Sequence, residues 1–161
     1  CRTEDELAAV LAHEIGHIQM RHGMKAIQKA RMAEALTILA REGVKTYGDE
    51  ELIKLSNSFG DVISDITTTM INNGYSRSYE YEADAAAVTI LRRAGYKTGA
   101  LVNMLQVMGK QLKPGGGDFA KTHPSPQLRI MELQNTASVT AATSTPDVRK
   151  NRFTAAVGHL L

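Results

Sequence analysis

Apolar residues recur at intervals of three and four along most of the chain, which is the spacing of a helix with one buried face. The first such stretch follows a capping box, in which Thr3 precedes Glu6, and it predicts a helix over residues 4–22 that Gly23 ends. The same spacing predicts further helices over residues 24–41, 49–71, 76–95, 98–112 and 126–133, with a short last one from Pro146. Near residue 71 the Thr and Ile content also permits a strand. A mainly α-helical fold is therefore expected.

Two segments interrupt the helical pattern. A Pro-Gly-Gly-Gly sequence predicts a flexible loop over residues 113–122, and a run of Ala, Ser and Thr over residues 136–145 is typical of a linker. The chain has 161 residues, of which 43% are apolar, and this suits one compact domain with its own core. We therefore expect a single domain over residues 1–161.

Charge and composition exclude several classes of function. Lys and Arg number 19 and Asp and Glu number 17, so nothing demands a polyanion and no nucleic-acid partner is expected. Cys1 is the only cysteine, which rules out an internal disulfide and a thiolate metal cluster. No run approaches the roughly 20 apolar residues needed to cross a bilayer, so we expect a soluble chain with no spanning segment. Because the chain begins with Cys and enters a helix almost at once, we expect it to be a piece of a longer polypeptide.

The first predicted helix contains a His-Glu-x-x-His sequence with metal-binding spacing. His13 and His17 lie one turn apart, so both imidazoles can bind one ion. Glu14 lies about 100° round the helix from His13, where it can reach a water molecule on that ion and act as a general base. The alternative is a structural or surface histidine pair that flanks an ion-paired Glu14. On this motif alone, both interpretations stay open.

A catalytic zinc site takes three protein ligands and leaves one position for water, so a third ligand is required. One class of zinc enzymes has a third histidine six residues beyond the second, but Gly23 occupies that position here. His22 is five residues beyond His17 and points to another face of a continuous helix, so we expect a plain surface histidine.

A later helix offers a carboxylate as the third ligand. Glu80 and Asp84 lie one turn apart, whereas Glu82 points elsewhere. Glu80 would bind the metal while Asp84 accepts the ring N–H of a ligating histidine. The alternative is a solvated acidic face with an ordinary ion pair between Glu80 and Arg77.

The order of these motifs resembles the gluzincin family of the CAAX prenyl protease and the heat-shock protease HtpX. The histidine motif is followed by Ser-Arg-x-x-Glu-x-x-Ala-Asp at residues 76–84 and by His-Pro with a later Arg at residues 123–129. In that family the glutamate four residues before the aspartate is the third zinc ligand, which corresponds to Glu80. The resemblance implies one Zn²⁺ per chain, bound by His13, His17 and Glu80, with Asp84, Arg77 and Arg129 as supporting residues.

The resemblance also implies a zincin-like helical core of the soluble, BepA-like branch. The family's small β segment lies upstream of the histidine helix, and we expect it to be missing from this chain. The expected activity is endopeptidase cleavage of unfolded or misassembled polypeptides, and the expected place is a bacterial envelope. Both the substrate and the place are implied by the resemblance alone.

His123 has three candidate roles. It could donate a hydrogen bond to the negative oxygen of the tetrahedral intermediate, occupy the open zinc position in a resting enzyme, or order a Pro-rich turn. Two other functions for the whole chain stay open: a zinc-bearing, chaperone-like module that binds polypeptide without cutting it, and a structural zinc domain with all four positions closed. Glu14 distinguishes the leading hypothesis, because a binding module has no need of a base beside the metal.

Overall fold

The computed structural model describes residues 1–42, 75–111, 123, 126–136, 139 and 146–160. These residues form six α-helices and a short 3-10 helix, with the following bounds: α1 Glu4–Gln19, α2 His22–Glu42, α3 Arg77–Arg93, α4 Gly99–Gln111, α5 Pro126–Thr136, α6 Asp147–Val157, and the 3-10 helix Gly158–Leu160. No strand occurs in these ranges, and the expectation of a mainly α-helical fold is confirmed. The helix predicted over 49–71, the loop over 113–122 and most of the linker over 136–145 lie outside the described residues.

Helix α1 begins as its capping box predicts and ends earlier than expected. The Thr3 hydroxyl accepts a hydrogen bond from the Glu6 backbone N–H at 3.1 Å. The helix ends at Gln19 because Arg21 takes a left-handed conformation, with φ of 54°, and reverses the chain. The predicted end at residue 22 was therefore wrong, and Gly23 lies inside α2 rather than after α1.

Helices α1 and α3 approach each other closely where both carry small residues. A Cβ atom added to Gly16 would lie 2.8 Å from the Ala83 carbonyl oxygen, so no larger residue fits this crossing without a shift of backbone. Ala83 is completely buried. This crossing brings the acidic face of α3 against the histidine face of α1.

The apolar core lies where α1, α3, α4 and α5 meet. Its largest fully buried apolar side chains are Leu91, Leu101 and Leu105. Each contributes about 1.5–3 kcal/mol of transfer free energy relative to an exposed side chain. No described helix has the length and apolar character needed to cross a bilayer.

Helix α6 returns to the start of the chain and binds it with two arginines. Arg149 Nη1 donates to Asp5 Oδ1 at 2.8 Å, and Arg152 Nε donates to Glu4 Oε2 at 2.9 Å. Phe153 is the buried apolar residue of this helix. The carboxylates at the start of α1 therefore bind the arginines of α6, and they also stabilise α1 because they lie at the positive end of its helix dipole.

Candidate metal centre

Three side chains from two helices meet at the crossing of α1 and α3. His13 Nε2 and His17 Nε2 are 3.1 Å apart. Glu80 places Oε1 3.3 Å from His17 Nε2 and Oε2 3.5 Å from His13 Nε2. All three side chains are buried. The structure therefore brings together the three residues that the sequence analysis named as ligands.

A third histidine joins this group from a distant part of the chain. His123 Nδ1 lies 3.3 Å from His13 Nε2 and 3.1 Å from each carboxylate oxygen of Glu80. His123 is buried as well. One nitrogen or oxygen from each of the four side chains falls within a common span of 4.8 Å.

The distances in this cluster fit a tetrahedral metal site. Metal–nitrogen and metal–oxygen bonds of about 2.0–2.1 Å place neighbouring ligand atoms about 3.3 Å apart. Five of the six pairs of side chains in the cluster approach to between 3.1 and 3.5 Å. Imidazole and carboxylate donors together are typical of a first-row divalent cation. The four side chains therefore fit such an ion by both geometry and donor chemistry.

Glu14 places one carboxylate oxygen beside this cluster. Its Oε1 is buried and makes no hydrogen bond with any residue that the structure describes, although His123 Nε2 lies 3.5 Å away. The side chain as a whole is 41% exposed, so the carboxylate lies at the boundary between the cluster and solvent. A buried carboxylate oxygen without a partner is costly, which suits a group that acts on a bound molecule.

Asp84 fixes the orientation of the His13 ring. Its Oδ1 lies 2.9 Å from His13 Nδ1, so the ring donates Nδ1–H to the carboxylate and directs the Nε2 lone pair into the cluster. Burial would lower the pKa of His13, but hydrogen bonds to Asp84 and Glu80 outweigh it and raise that pKa. Burial likewise would raise the pKa of Glu80, but the three histidines of the cluster lower it well below its ordinary value.

Arg129 from α5 joins the two buried carboxylates. Its Nε and Nη2 donate to the two oxygens of Asp84 at 2.8 and 2.6 Å, while Nη1 lies 2.9 Å from Glu80 Oε2. One guanidinium thus compensates two carboxylates in a buried region. Arg77 is different: it is exposed, and no hydrogen bond or ion pair joins it to the described residues of the cluster.

The sequence analysis was wrong about His22, whereas Glu82 points away from the Glu80 and Asp84 face as expected. His22 is fully buried, with Nδ1 2.8 Å from His17 Nδ1 and Nε2 3.3 Å from Glu82 Oε2. The reason is the left-handed turn at Arg21, which starts α2 against the side of α1 instead of continuing one helix. Nothing in the residues at positions 20 and 21 announces this turn, since neither is Gly or Asn.

Tyr75 also escaped the sequence analysis. Its ring stacks on the His17 imidazole, with the ring centres 4.1 Å apart and the planes at 17°. Burial raises the pKa of the Tyr75 hydroxyl, and the negative charges of Glu14 and Glu80 raise it further. Its place just before the Ser-Arg motif was the only available signal.

Comparison with known proteins gives one family. The sequence model of the family described as Peptidase family M48 matches residues 1–137 of the chain. The beta-barrel assembly-enhancing protease of Yersinia pestis is 31% identical over 142 residues, which cover 84% of this chain and 28% of that protein. The mitochondrial metalloendopeptidase OMA1 of Schizosaccharomyces pombe is 30% identical over 141 residues, covering 83% and 37%.

The metalloprotease LoiP of Escherichia coli is more distant, at 24% identity over 136 residues that cover 84% of this chain and 51% of the relative. The chain therefore spans between 28% and 51% of the length of these three relatives. No solved structure gives a significant match to the chain.

Proposed function

The chain belongs to peptidase family M48, and on this premise we propose that it is the catalytic core of a zinc-dependent endopeptidase. The observation that carries the proposal is a buried group of three histidines and a glutamate, beside which a buried Glu14 oxygen accepts no hydrogen bond from the described residues. A ligand set and a base in one place are what the hydrolysis of a peptide bond requires. The names of the three relatives, a protease, a metalloendopeptidase and a metalloprotease, support this class of activity.

The proposed zinc ligands are His13 Nε2, His17 Nε2 and a carboxylate oxygen of Glu80. Two imidazoles and a carboxylate suit zinc, and cobalt or manganese would fit the same donors. Zinc in such a site lowers the pKa of a bound water molecule towards about 7 and polarises the scissile carbonyl group. Asp84 and Arg129 support the ligands, because Asp84 orients His13 and Arg129 balances the charge of the two carboxylates.

Glu14 is the proposed general base and general acid. Its Oε1 takes a proton from the attacking water molecule and later gives that proton to the leaving amine. The other part of the side chain is exposed, so the carboxylate can meet a substrate that enters from solvent.

His123 is the proposed occupant of the fourth ligand position in a resting enzyme. Support comes from His123 Nδ1, which lies at ligand-to-ligand distance from both His13 and Glu80. In this arrangement the ring must leave before substrate and water can enter.

The proposed substrates are unfolded or misassembled polypeptides, and the proposed place is a bacterial envelope. One relative is named as a beta-barrel assembly-enhancing protease, which supports this substrate class and place. Another relative is named as mitochondrial, so the names of the relatives span more than one compartment.

Hydrolysis of unfolded casein tests the proposed function. The wild-type protein, loaded with zinc, is compared with Glu14→Gln at equal zinc content, and the variant is expected to lose about 10²- to 10⁴-fold in kcat/KM because it lacks the base. Asp147→Asn makes the same chemical change at an exposed position in α6 and serves as the matched control. Equal inactivity of wild type and Glu14→Gln, with zinc bound to both, would favour the non-cutting polypeptide-binding module instead.

A further inference from the structure

His22 lies in a line of polar atoms that leads away from the metal centre. Its Nδ1 is 2.8 Å from His17 Nδ1, on the opposite side of the His17 ring from the cluster. Its Nε2 is 3.3 Å from Glu82 Oε2. Lys25 Nζ also donates a hydrogen bond to Glu82 Oε2 at 3.3 Å. The order is therefore Lys25, Glu82, His22, His17 and then the cluster.

The hydrogen-bonding rules of imidazole determine the protons along this line. Glu82 is a carboxylate and only accepts, so His22 must donate its Nε2–H. A neutral His22 then has a bare Nδ1, which accepts a proton from the facing nitrogen of His17. His17 is thereby held as the Nδ1–H form, and its Nε2 lone pair points to His13 Nε2 and Glu80.

We infer that His22 is a positioning residue that determines the tautomer and ring orientation of His17. Glu82 in turn determines the tautomer of His22. The inference rests on the proposed function, because it assigns a role toward the metal that His17 would bind. It extends the relation seen at the other imidazole, where Asp84 accepts the Nδ1–H of His13 directly. Each ligating histidine is thus oriented by a carboxylate of α3, and His17 is reached through an intervening ring.

Packing holds this line in place from the sides. The Tyr79 ring stacks on His22, with ring centres 4.5 Å apart and planes at 5°. Tyr75 stacks on the face of His17, so His17 is restrained on its face by Tyr75 and at its edge by His22. His22 and His17 are both buried, which favours their contact with each other over contact with water.

His22 is not a further ligand of the same ion. Its Nδ1 faces the nitrogen of His17 that points away from the cluster, and its Nε2 faces Glu82. The group of potential ligand atoms accordingly comprises His13, His17, Glu80 and His123. These contacts therefore support a role in which His22 acts on the metal centre through His17.

Zinc affinity of His22 variants tests the inference. The zinc dissociation constant is measured at fixed pH by competition with a chromophoric chelator. His22→Phe keeps a ring on Tyr79 but leaves His17 Nδ1–H without an acceptor, and the constant is expected to rise about 10- to 100-fold. His22→Asn returns an acceptor oxygen near the position of Nδ1 and is expected to recover most of that loss. The visible spectrum of cobalt-loaded protein should change in His22→Phe and return towards wild type in His22→Asn.

Two further variants control for packing. Tyr79→Phe keeps the stacked ring and should leave the zinc affinity unchanged. Glu82→Leu acts at a side chain that is 44% exposed, so it tests the line without opening the core, and a loss of roughly threefold or more is expected. This second variant decides the question if His22→Phe fails to fold.

The outcomes separate the inference from the proposed function. Wild-type protein that binds no zinc would overturn both. Wild type that binds zinc, with His22→Phe and Glu82→Leu at the same affinity and the same cobalt spectrum, would overturn the inference alone. A fall in the unfolding midpoint of metal-free His22→Phe, without a change in zinc affinity, would assign His22 to packing and also overturn it.

Discussion

At the scale of single residues, the two fully buried carboxylates of the metal centre share one positively charged partner. Glu80 and Asp84 are both fully buried, and burial alone would favour their neutral forms. Arg129 reaches both carboxylates from α5, and hydrogen bonds from it and from His13 lower the pKa of Asp84. The carboxylates therefore stay ionised, which a ligand and a hydrogen-bond acceptor for a ligating histidine both require.

Removal of the His123 side chain is expected to raise activity. Because His123 Nδ1 lies at the fourth corner of the ligand cluster, His123→Ala opens that corner to water and substrate. If the open form makes up about a tenth of the resting protein, kcat/KM for casein rises by up to about tenfold. His159→Ala, at an exposed histidine outside the cluster, is the control. A fall in kcat would instead identify a donor to the reacting oxygen, and an unchanged rate would leave His123 as a turn residue.

The elements meet at the metal centre because α1 and α3 cross with almost no side chain between them. Gly16 on α1 lies against the backbone of Ala83 on α3. His13 and His17 are on one side of this contact, and Glu80 and Asp84 are one turn or less from it on the other. A change in the helix separation therefore moves the ligands relative to one another.

Gly16→Ala is expected to reduce both stability and zinc affinity. The new Cβ would lie 2.8 Å from the Ala83 carbonyl oxygen, so backbone must move, at a cost of about 1–3 kcal/mol in the free energy of unfolding. The better helix propensity of Ala offsets about 1 kcal/mol of that cost at most. Urea unfolding of the metal-free protein and chelator competition measure the two effects.

Gly109→Ala is the matched control for this crossing. The Cβ added there meets the end of the Gln127 side chain at 3.0 Å, and that end can move aside. Gly109→Ala in α4 should be neutral or slightly stabilising. If Gly16→Ala behaves in the same way, the close approach of α1 and α3 does not set the geometry of the metal centre.

At the scale of the whole molecule, α6 packs against the start of α1 and so joins distant parts of the described chain. Arg152 and Arg149 join Glu4 and Asp5, and Tyr96 donates its hydroxyl proton to Glu4 Oε1 at 2.8 Å. Hydrogen bonding from Arg152 is the main cause that lowers the pKa of Glu4 from 4.5 to about 2. Residues near the two ends of the described chain thereby stabilise the helix that carries the histidine motif.

This contact predicts how stability depends on acid. Because the pKa of Glu4 is lower in the folded protein, its contribution is complete above about pH 5 and is lost as the pH falls towards 2. The difference in the free energy of unfolding between wild type and Glu4→Gln should therefore shrink over that interval. In an Arg152→Gln background the same comparison should show a smaller change with pH, since the main partner is gone. A difference that stays constant from pH 5 to pH 2 would contradict the assigned pKa.

The spacing of residues along the chain determined the helical elements and one face of the metal centre. Helical periodicity and the capping box are local, so α1, α3, α4 and α6 lie within a few residues of their predicted ranges. The i, i+4 spacing of His13 and His17 likewise fixes two donors on one helix, whatever lies around them. Glu80 was chosen among several acidic residues with the help of a family resemblance, because spacing alone does not say which helix packs against α1.

Only the tertiary structure decided which distant groups complete that centre. The family resemblance named Arg129 as a supporting residue, but only the structure shows that it bridges Asp84 and Glu80 from a helix more than forty residues away along the chain. His22 became a buried partner of His17 because of a left-handed turn at Arg21, a conformation that the residue type does not favour and that packing must stabilise. Such contacts depend on how helices cross, which is set by burial across the whole core, whereas a sequence pattern reports only the face that each helix will bury.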